Sequence, residues 1–273
     1  MYLSVIIPAY NEETRLPKTL EEIDKYLKKQ NYDYEIMVVN DGSKDKTVEV
    51  AKSLIPKIKN LKVTGYEKNR GKGYAVRFGM IEAKGDFRLF TDADNSTSID
   101  HLEKIWPEFA EVSPQLPERS EGREMNEVQR TSPRPASRDS VFKKGYDIVI
   151  GSRDIKGAVL DPPQPWIRKL ILGEGFRLYR KIILGLWGIK DTQCGFKCFT
   201  KKATEKIFPK CRIDRFAFDP EILVIAKKLG SEIKEIPVYW KNDPESKVKF
   251  KSIFKMALDV IKIRLNSIKG LYG

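Results

Sequence analysis

The sequence predicts an α/β fold in which helices flank a mostly parallel sheet. Short apolar runs alternate with helical patterns through the first hundred residues, and each run ends at a turn signal or a polar loop. Strands separated by helices pair in parallel through right-handed crossovers. The chain has 273 residues, of which 41% are hydrophobic and 10% aromatic, and this composition is typical of a globular protein.

Four strands and three helices are predicted in the first part of the chain, in strict alternation. The strands are Leu3–Ile7, Tyr34–Val39, Leu61–Tyr66 and Phe87–Phe90. The helices are Glu13–Lys29, Val48–Ile55 and Tyr74–Ala83. Apolar residues recur on one face of the first helix at helical spacing, and Asp45 is a candidate cap for the second.

The second part of the chain continues the same alternation after an interruption. Residues 113–143 are rich in Pro, Ser, Arg and Glu and show no period, so we expect a flexible surface insertion. The strands that follow are Tyr146–Ile150, Gly195–Phe199 and Ile233–Trp240. The helices are Trp166–Trp187, Pro220–Lys228 and Phe250–Ile268. We therefore predict one α/β domain over residues 1–249 and an amphipathic helical tail over 250–273.

Composition excludes several classes of protein. Three cysteines and one histidine do not form the paired spacing of a zinc site or a disulfide framework. No apolar stretch reaches the roughly 18 residues that a membrane-spanning helix needs, and the first residues do not resemble a signal peptide. The formal net charge of +13 indicates an anionic partner: nucleic acid, lipid head groups or a phosphorylated substrate.

The polar loops that follow the first four strands predict where a ligand binds. These loops are Pro8–Glu12, Asp41–Ser43, Asn69–Gly73 and Asp92–Asp94. In parallel sheets, ligands bind beyond the carboxyl ends of the strands. We therefore expect the four loops to meet at one edge of the sheet.

Asp92 and Asp94 are the candidate metal ligands. Two carboxylates at positions i and i+2, directly after a strand, can reach one cation. Mg²⁺ suits such a pair because it takes one or two carboxylates together with substrate phosphates, and Mn²⁺ is the alternative. The loop Asn69–Gly73 combines glycines with Lys72, as phosphate-binding loops do, but it lacks the spacing of a P-loop.

Nine segments together resemble glycosyltransferases of family 2. The first four are Val5–Glu12, Val39–Ser43, Asn69–Gly73 and Thr91–Asp94. The other five are Gly151–Arg153, Asp191–Lys197, Phe218–Glu221, Pro237–Trp240 and Ser246–Val248. The later segments are similar to the dolichyl-phosphate β-glucosyltransferase branch, with the dolichyl-phosphate mannose synthases next. The resemblance covers nearly the whole chain except residues 113–143.

The resemblance implies a GT-A fold, which is Rossmann-like, and inverting transfer of glucose from UDP-glucose to a polyprenyl phosphate such as dolichyl phosphate. The residues implied to bind the nucleotide sugar are Pro8, Tyr10, Glu12, Asp41, Lys72, Asp92, Ala93 and Asp94. Asp94 and Asp92 would hold the metal, and the catalytic group would be Asp191, Asp94 and Gln193. Arg153 and Arg168 would bind the acceptor phosphate; for Arg168, a surface arginine facing an anionic bilayer is the alternative.

Two features depart from the pattern of these relatives. Mannose synthases often carry a glutamine two residues beyond the second aspartate, where this chain has Ser96. This difference favours UDP-glucose as donor over GDP-mannose. Eukaryotic members usually carry an amino-terminal membrane anchor, whereas here the first strand begins at once, so we expect peripheral association with the cytoplasmic face of a membrane. The basic helices Leu170–Ile189 and Phe250–Ile268 are the predicted contacts.

Three other functions remain as alternatives at this point. The chain could use GDP-mannose, or it could be a family 2 transferase that acts on another acceptor. A basic nucleic-acid-binding protein is the alternative outside the enzymes, and a gel-shift assay would detect it. No RNA- or DNA-binding signature supports that alternative.

Overall fold

A computed structural model of the chain describes residues 1–109, 145–162, 175–241 and 250–273, with the side chains of 250–253 left undescribed. Four of the sequence predictions concern residues outside these ranges. They are the insertion at 113–143, Arg168, the first part of the Trp166–Trp187 helix, and the segment Ser246–Val248.

The first part of the chain forms the predicted alternation of strands and helices. The strands are β1 (Leu3–Ala9), β2 (Tyr34–Asp41), β3 (Leu61–Tyr66) and β4 (Phe87–Thr91). The helices are α1 (Leu16–Leu27), α2 (Thr47–Ser53), α3 (Lys72–Glu82) and the short α4 (Leu102–Ile105). The Asp45 carboxylate accepts a hydrogen bond from the Thr47 N–H, at the start of α2, over 3.0 Å.

The second part of the chain adds five strands and four helices to the described residues. The strands are β5 (Ile148–Ser152), β6 (Val159–Asp161), β7 (Phe196–Thr200), β8 (Ile233–Pro237) and β9 (Tyr239–Lys241). The helices are α5 (Gly175–Leu184), α6 (Lys201–Ile207), α7 (Phe218–Lys228) and α8 (Phe250–Ile268).

Seven of these strands form one sheet in the order β3-β2-β1-β4-β7-β5-β8. All neighbours pair in parallel except β7, which is antiparallel to both β4 and β5. The prediction of a mostly parallel sheet is therefore confirmed. β6 and β9 form a separate two-stranded parallel sheet.

Helices cover both faces of the large sheet and enclose two apolar clusters. One cluster includes Leu20 of α1 and Leu102 of α4 against the strands. The other includes Val76 of α3, Ile222 of α7 and Val260 of α8. Burial on both faces explains why the central strands are nearly continuous apolar runs and do not alternate apolar with polar residues.

Two predicted elements differ from those observed, and three short elements, α4, β6 and α6, were not predicted. The single strand Ile233–Trp240 is wrong: it is two strands in different sheets, because Pro237 ends β8 and the chain then crosses to pair with β6. The helix predicted to reach Trp187 ends at Leu184, followed by Gly185 with a φ of 69°. The helix α6 was not predicted; it is only 7 residues long, and its cap is the Thr200 side chain, which accepts the Ala203 N–H.

Candidate active site

The loop after β3 is held by a carboxylate at the end of β2. Asp41 is 3% exposed, and its side-chain oxygens accept hydrogen bonds from the Asn69 amide and from the Arg70 and Gly71 N–H groups over 2.7–2.9 Å. Gly71 has a φ of 108° and lies against the Asp214 carbonyl, where a Cβ has no room. Asp41 therefore fixes the path of the chain that leads to Lys72.

The loop after β1 meets the start of α2. Asn11 N–H donates to the Ser43 hydroxyl over 3.0 Å, and Glu12 N–H donates to the Thr47 hydroxyl over 2.8 Å. The Glu12 carboxylate accepts two hydrogen bonds from the Arg15 guanidinium, each of 2.8 Å. Pro8 is buried within β1, and Tyr10, which follows the strand, is 36% exposed. The loops after β1 and β2 thus form one connected surface.

Lys72, at the start of α3, links this surface to the loop after β4. Its ammonium lies 2.5 Å from Asp92 Oδ1. Burial disfavours the charge on Lys72, but the carboxylates of Asp92, Asp219 and Asp94 outweigh burial and raise the pKa of Lys72. Lys72 is therefore a fixed positive charge at neutral pH, and it lies beside the two predicted metal ligands.

Asp92 and Asp94 occupy one tight turn after β4. The buried Ala93 between them accepts a hydrogen bond at its carbonyl from the Thr19 hydroxyl over 2.7 Å. Asp94 Oδ1 accepts the Ser96 N–H over 3.0 Å. Burial and the neighbouring Asp92 charge raise the pKa of Asp94. Negative charge in this turn is therefore only partly compensated by the protein.

A divalent cation fits this turn chemically. It would compensate the charge of Asp94 and Asp92, and hard cations prefer carboxylate oxygen. Within residues 1–109, 145–162, 175–241 and 250–273, no group of three or more His, Cys, Asp or Glu side chains could hold a metal ion. The two aspartates would thus hold the ion together with substrate oxygens and water, as is usual for Mg²⁺.

The Asp92 side chain packs directly against Gly195. A Cβ at position 195 would overlap the Asp92 carboxylate, so any other residue there requires Asp92 or this backbone to move. This contact joins the segment before β7 to the turn after β4, although the two are about a hundred residues apart in sequence.

A buried ion pair behind Gly195 was not assigned a role from the sequence. Lys197 is fully buried, and its ammonium lies 2.5 Å from Asp219 Oδ1 and 2.5 Å from the Cys194 carbonyl oxygen. The pair thereby fixes the backbone just before Gly195. A lysine in the middle of an apolar strand is the sequence signal that points to such a pair, since lysine is almost never fully buried without a partner.

The Asp191 side chain is enclosed by hydrogen-bond donors. Its oxygens accept the Arg153 Nε over 2.7 Å, the Arg153 Nη2 over 3.0 Å and the Gln193 N–H over 3.0 Å. Although burial opposes its charge, Arg153 and these hydrogen bonds hold the pKa of Asp191 well below its usual range. The structure thus brings Arg153, Asp191 and Gln193 together. Asp191 is ionised, and two nitrogens of Arg153 donate hydrogen bonds to it.

Replacing Asp191 with alanine is expected to lower the free energy of unfolding by about 3 kcal/mol, because the Arg153 guanidinium is left largely buried without its partner. Urea unfolding of this variant and of Arg153→Met would measure the effect. The double variant completes a double-mutant cycle, which gives the interaction energy of the pair. Since the folded-state pKa is depressed, the stabilisation is present above about pH 4 and is lost as pH falls below that value. Equal stability of Asp191→Ala and the wild type would contradict the role of the pair.

Comparison with protein families and relatives identifies the family of the chain. The family model described as glycosyl transferase family 2 matches residues 4–137. A dolichyl-phosphate beta-glucosyltransferase of Trichomonas vaginalis is 37% identical over 97% of this chain and 73% of its own length. The Homo sapiens dolichyl-phosphate beta-glucosyltransferase is 33% identical over 99% of this chain and 77% of its own length.

Solved structures confirm the GT-A fold. Mannosyl-3-phosphoglycerate synthase from Rubrobacter xylanophilus matches with a TM-score of 0.64 at 16% identity, over 99% of this chain and 75% of that protein. Glucosyl-3-phosphoglycerate synthase from Mycobacterium tuberculosis, solved with Mn²⁺, UDP and glucosyl-3-phosphoglycerate, matches with a TM-score of 0.57 at 16% identity, over 97% of this chain and 79% of that protein. At these identities the likeness concerns the fold.

Proposed function

The chain belongs to the dolichyl-phosphate β-glucosyltransferases of glycosyl transferase family 2, and from this membership we propose that it transfers glucose from UDP-glucose to a polyprenyl phosphate. The observation that carries the proposal is the cluster of Lys72, Asp92 and Asp94 beside Gly195, at the carboxyl end of β4. This cluster combines a fixed cation with two carboxylates that can share a metal ion, as binding of a nucleoside diphosphate requires.

The donor half of the site is built by the loops after β1 to β4. Asp41 fixes the backbone of Asn69–Gly73, and this backbone and the Lys72 ammonium face the position proposed for the diphosphate. Asp92 and Asp94 would hold a divalent cation, Mg²⁺ or Mn²⁺, which when bound stabilises the charge on the departing UDP. Pro8, Tyr10 and Glu12 are proposed to line the nucleoside position.

The acceptor needs little activation by the protein. A phosphate monoester has its second pKa near 6 and is largely ionised at neutral pH. Its oxygen attacks the anomeric carbon in line, the bond to UDP breaks, and the configuration inverts. We propose that Asp191, held ionised by Arg153, positions groups at the transfer site together with Gln193, so that most of the rate effect comes from orientation and electrostatics.

The apolar faces of α5 and α8 support association with a membrane surface. The two helices pack together, and the Tyr179 hydroxyl donates to the Ala257 carbonyl over 3.0 Å. Large apolar side chains on both helices are 44–69% exposed: Leu178, Ile182, Phe254, Leu258, Ile261, Leu265 and Ile268. None of the helices in the described ranges is long and apolar enough to cross a bilayer. We propose that this face lies on the cytoplasmic surface of an anionic membrane.

Replacing Leu258 and Ile261 together with glutamate is expected to reduce binding to anionic vesicles at least tenfold, because the two exposed side chains lose their burial and gain charge of the wrong sign. Flotation with vesicles containing phosphatidylglycerol would measure the loss. The control replaces two exposed lysines on another helix, Lys201 and Lys202, with glutamine, so that both double variants lose the same net charge. A larger loss in the control would show that net charge, and not this apolar face, governs binding.

An organic-extraction assay tests the proposed function. Radiolabelled UDP-glucose and a polyprenyl phosphate are incubated with the protein, with and without EDTA. Label is expected to enter the organic phase only when divalent metal is available. Intact UDP binding without any lipid-linked product would show that the acceptor belongs to another class.

A further inference from the structure

The segment 211–215, which lies between α6 and α7, packs against the start of α3. Carbonyl oxygens of this segment would lie 2.4 Å from a Cβ added at Gly71 and 2.6 Å from a Cβ added at Gly73. The Tyr74 N–H donates to the first of these carbonyls over 3.0 Å. Because Lys72 lies between the two glycines, the position of this segment determines where the Lys72 side chain begins.

Glu221, on α7, is the buried group that holds this segment. It is fully buried, and its two carboxylate oxygens accept the N–H groups of Arg212 and Ile213, each over 2.9 Å. The hydroxyl of Tyr272, which is also fully buried, donates to the same carboxylate over 2.6 Å and accepts the Asn266 amide over 3.1 Å. Burial of a carboxylate is costly, and these hydrogen bonds offset the cost while they fix two successive N–H groups of the segment.

Arg77, on α3, is bonded to the same segment. Its Nη1 donates to the Cys211 carbonyl over 2.7 Å, and its Nη2 lies 2.8 Å from the Asp214 carboxylate. The segment is therefore bonded to α7 through Glu221 and to α3 through Arg77. A displacement of the segment has to move the start of α3 as well.

One short motif at the start of α7 thus supports both members of the contact between Lys72 and Asp92. Asp219 pairs with Lys197, which fixes the backbone just before the glycine against which Asp92 packs. Glu221, two residues further on, fixes the segment against which the start of α3 packs. Two buried carboxylates of α7 therefore act on opposite partners of the same ion pair.

We propose that Glu221 is a positioning residue for the nucleoside diphosphate, which it does not touch: it sets the place of Lys72 through the segment 211–215, and Tyr272 supports it. The inference names a further residue for the donor site and therefore rests on the proposed function. Its consequence is specific. Loss of the Glu221 hydrogen bonds should weaken binding of UDP and UDP-glucose and leave binding of the acceptor phosphate unchanged.

Calorimetric titration of the full chain with UDP and Mn²⁺ tests the inference. Glu221→Gln keeps the size of the side chain but places an amide donor against a backbone N–H, whereas Tyr272→Phe removes only the hydroxyl. The matched control is Glu35→Gln at the opposite end of β2. Glu35 is also a fully buried carboxylate, and it accepts the Ser4 hydroxyl over 2.6 Å and the Lys84 N–H over 2.8 Å.

Glu221→Gln is expected to bind UDP about tenfold more weakly than the wild type, as the loss of a hydrogen bond to a charged group implies. Tyr272→Phe should change the affinity in the same direction by a smaller factor, which provides the test if Glu221→Gln does not fold. Glu35→Gln should lower the urea midpoint and keep wild-type affinity for UDP. In steady-state assays, Glu221→Gln should raise the KM for UDP-glucose and leave the KM for polyprenyl phosphate unchanged.

A double-mutant cycle with Lys72→Met distinguishes positioning from general stability. If Glu221 acts through Lys72, Glu221→Gln should weaken UDP binding by less than twofold once Lys72 is replaced. Wild-type affinity of folded Glu221→Gln and Tyr272→Phe, an equal loss in Glu35→Gln, or the full tenfold loss in the Lys72→Met background would each overturn the inference.

UDP binding is measured without transfer, so this inference and the proposed function can fail separately. Glucose transfer by the wild type, together with unchanged UDP affinity of Glu221→Gln, would reject the positioning role alone. Glu221-dependent binding of UDP by a protein that transfers no glucose to polyprenyl phosphate would reject the proposed function alone.

Discussion

Replacing Asp94 with alanine is expected to lower metal-dependent glucose transfer by about a thousandfold or more, since the metal contributes several kcal/mol of transition-state stabilisation. The physical reason lies in the turn after β4, where burial and the Asp92 charge raise the pKa of Asp94. A cation that fits this turn is attracted by both carboxylates, and one carboxylate alone holds it poorly. Initial rates at saturating UDP-glucose, with and without added Mn²⁺, would measure the loss.

The pH dependence of the metal requirement is a second test of the role of Asp94. Because the pKa of Asp94 is raised, protons compete with the metal at higher pH than they would for an ordinary aspartate, so the metal concentration required for half-maximal rate should rise as pH falls. Asp94→Asn should lose activity at every pH tested. Asp33→Ala, on the exposed surface before β2, serves as control. Near wild-type transfer by Asp94→Ala would reject the metal assignment.

Replacing Gly195 with alanine is expected to reduce transfer at least a hundredfold, although the new methyl group carries no charge. The methyl carbon would overlap the Asp92 carboxylate, so either Asp92 or the backbone before β7 must move. Lys197 fixes that backbone through the Cys194 carbonyl, so we expect Asp92 to be displaced. Misplacing a group at the reaction centre by about 1 Å costs about a hundredfold in rate.

Gly188→Ala is the matched control for this substitution. Gly188 belongs to the same region between α5 and β7, and, its chain neighbours apart, no atom of the described residues lies within 4 Å of a Cβ added there. The control should therefore keep wild-type kinetics and stability. Circular dichroism and urea unfolding would establish that Gly195→Ala still folds. Unchanged transfer by a folded Gly195→Ala protein would contradict the role of Gly195 in positioning Asp92.

Strand and helix order in the first hundred residues could be predicted because local signals agree with the fold there. Buried strands such as Tyr34–Asp41 are continuous apolar runs that end at acidic or glycine-containing loops. The rule that loops at the carboxyl ends of parallel strands share one site then placed Asp41, Lys72 and Asp92 near one another without any long-range information.

Long-range contacts were beyond the reach of the sequence. Two contacts could not be predicted from the spacing of residues in the sequence: the packing of Asp92 against Gly195 and the ion pair of Lys197 with Asp219. Each contact joins segments that come together only through the antiparallel strand β7. Likewise, the split between β8 and β9 depends on a second sheet formed with β6.

The structure adds one contact to the predicted role of Arg153. Arg153 was predicted from the resemblance to bind the acceptor phosphate, and this stays a prediction. The structure adds that its Nε and Nη2 atoms already donate to Asp191. An incoming phosphate would thus meet a guanidinium that is partly neutralised.

The most direct test of the proposed function offers two donors to the same protein in parallel. Radiolabelled UDP-glucose and GDP-mannose are each incubated with polyprenyl phosphate and Mg²⁺ or Mn²⁺, and the lipid phase is extracted and counted. The proposed function predicts lipid-linked label from UDP-glucose alone, with the sugar in the β configuration. Label from GDP-mannose alone, or from neither donor while UDP still binds, would contradict it.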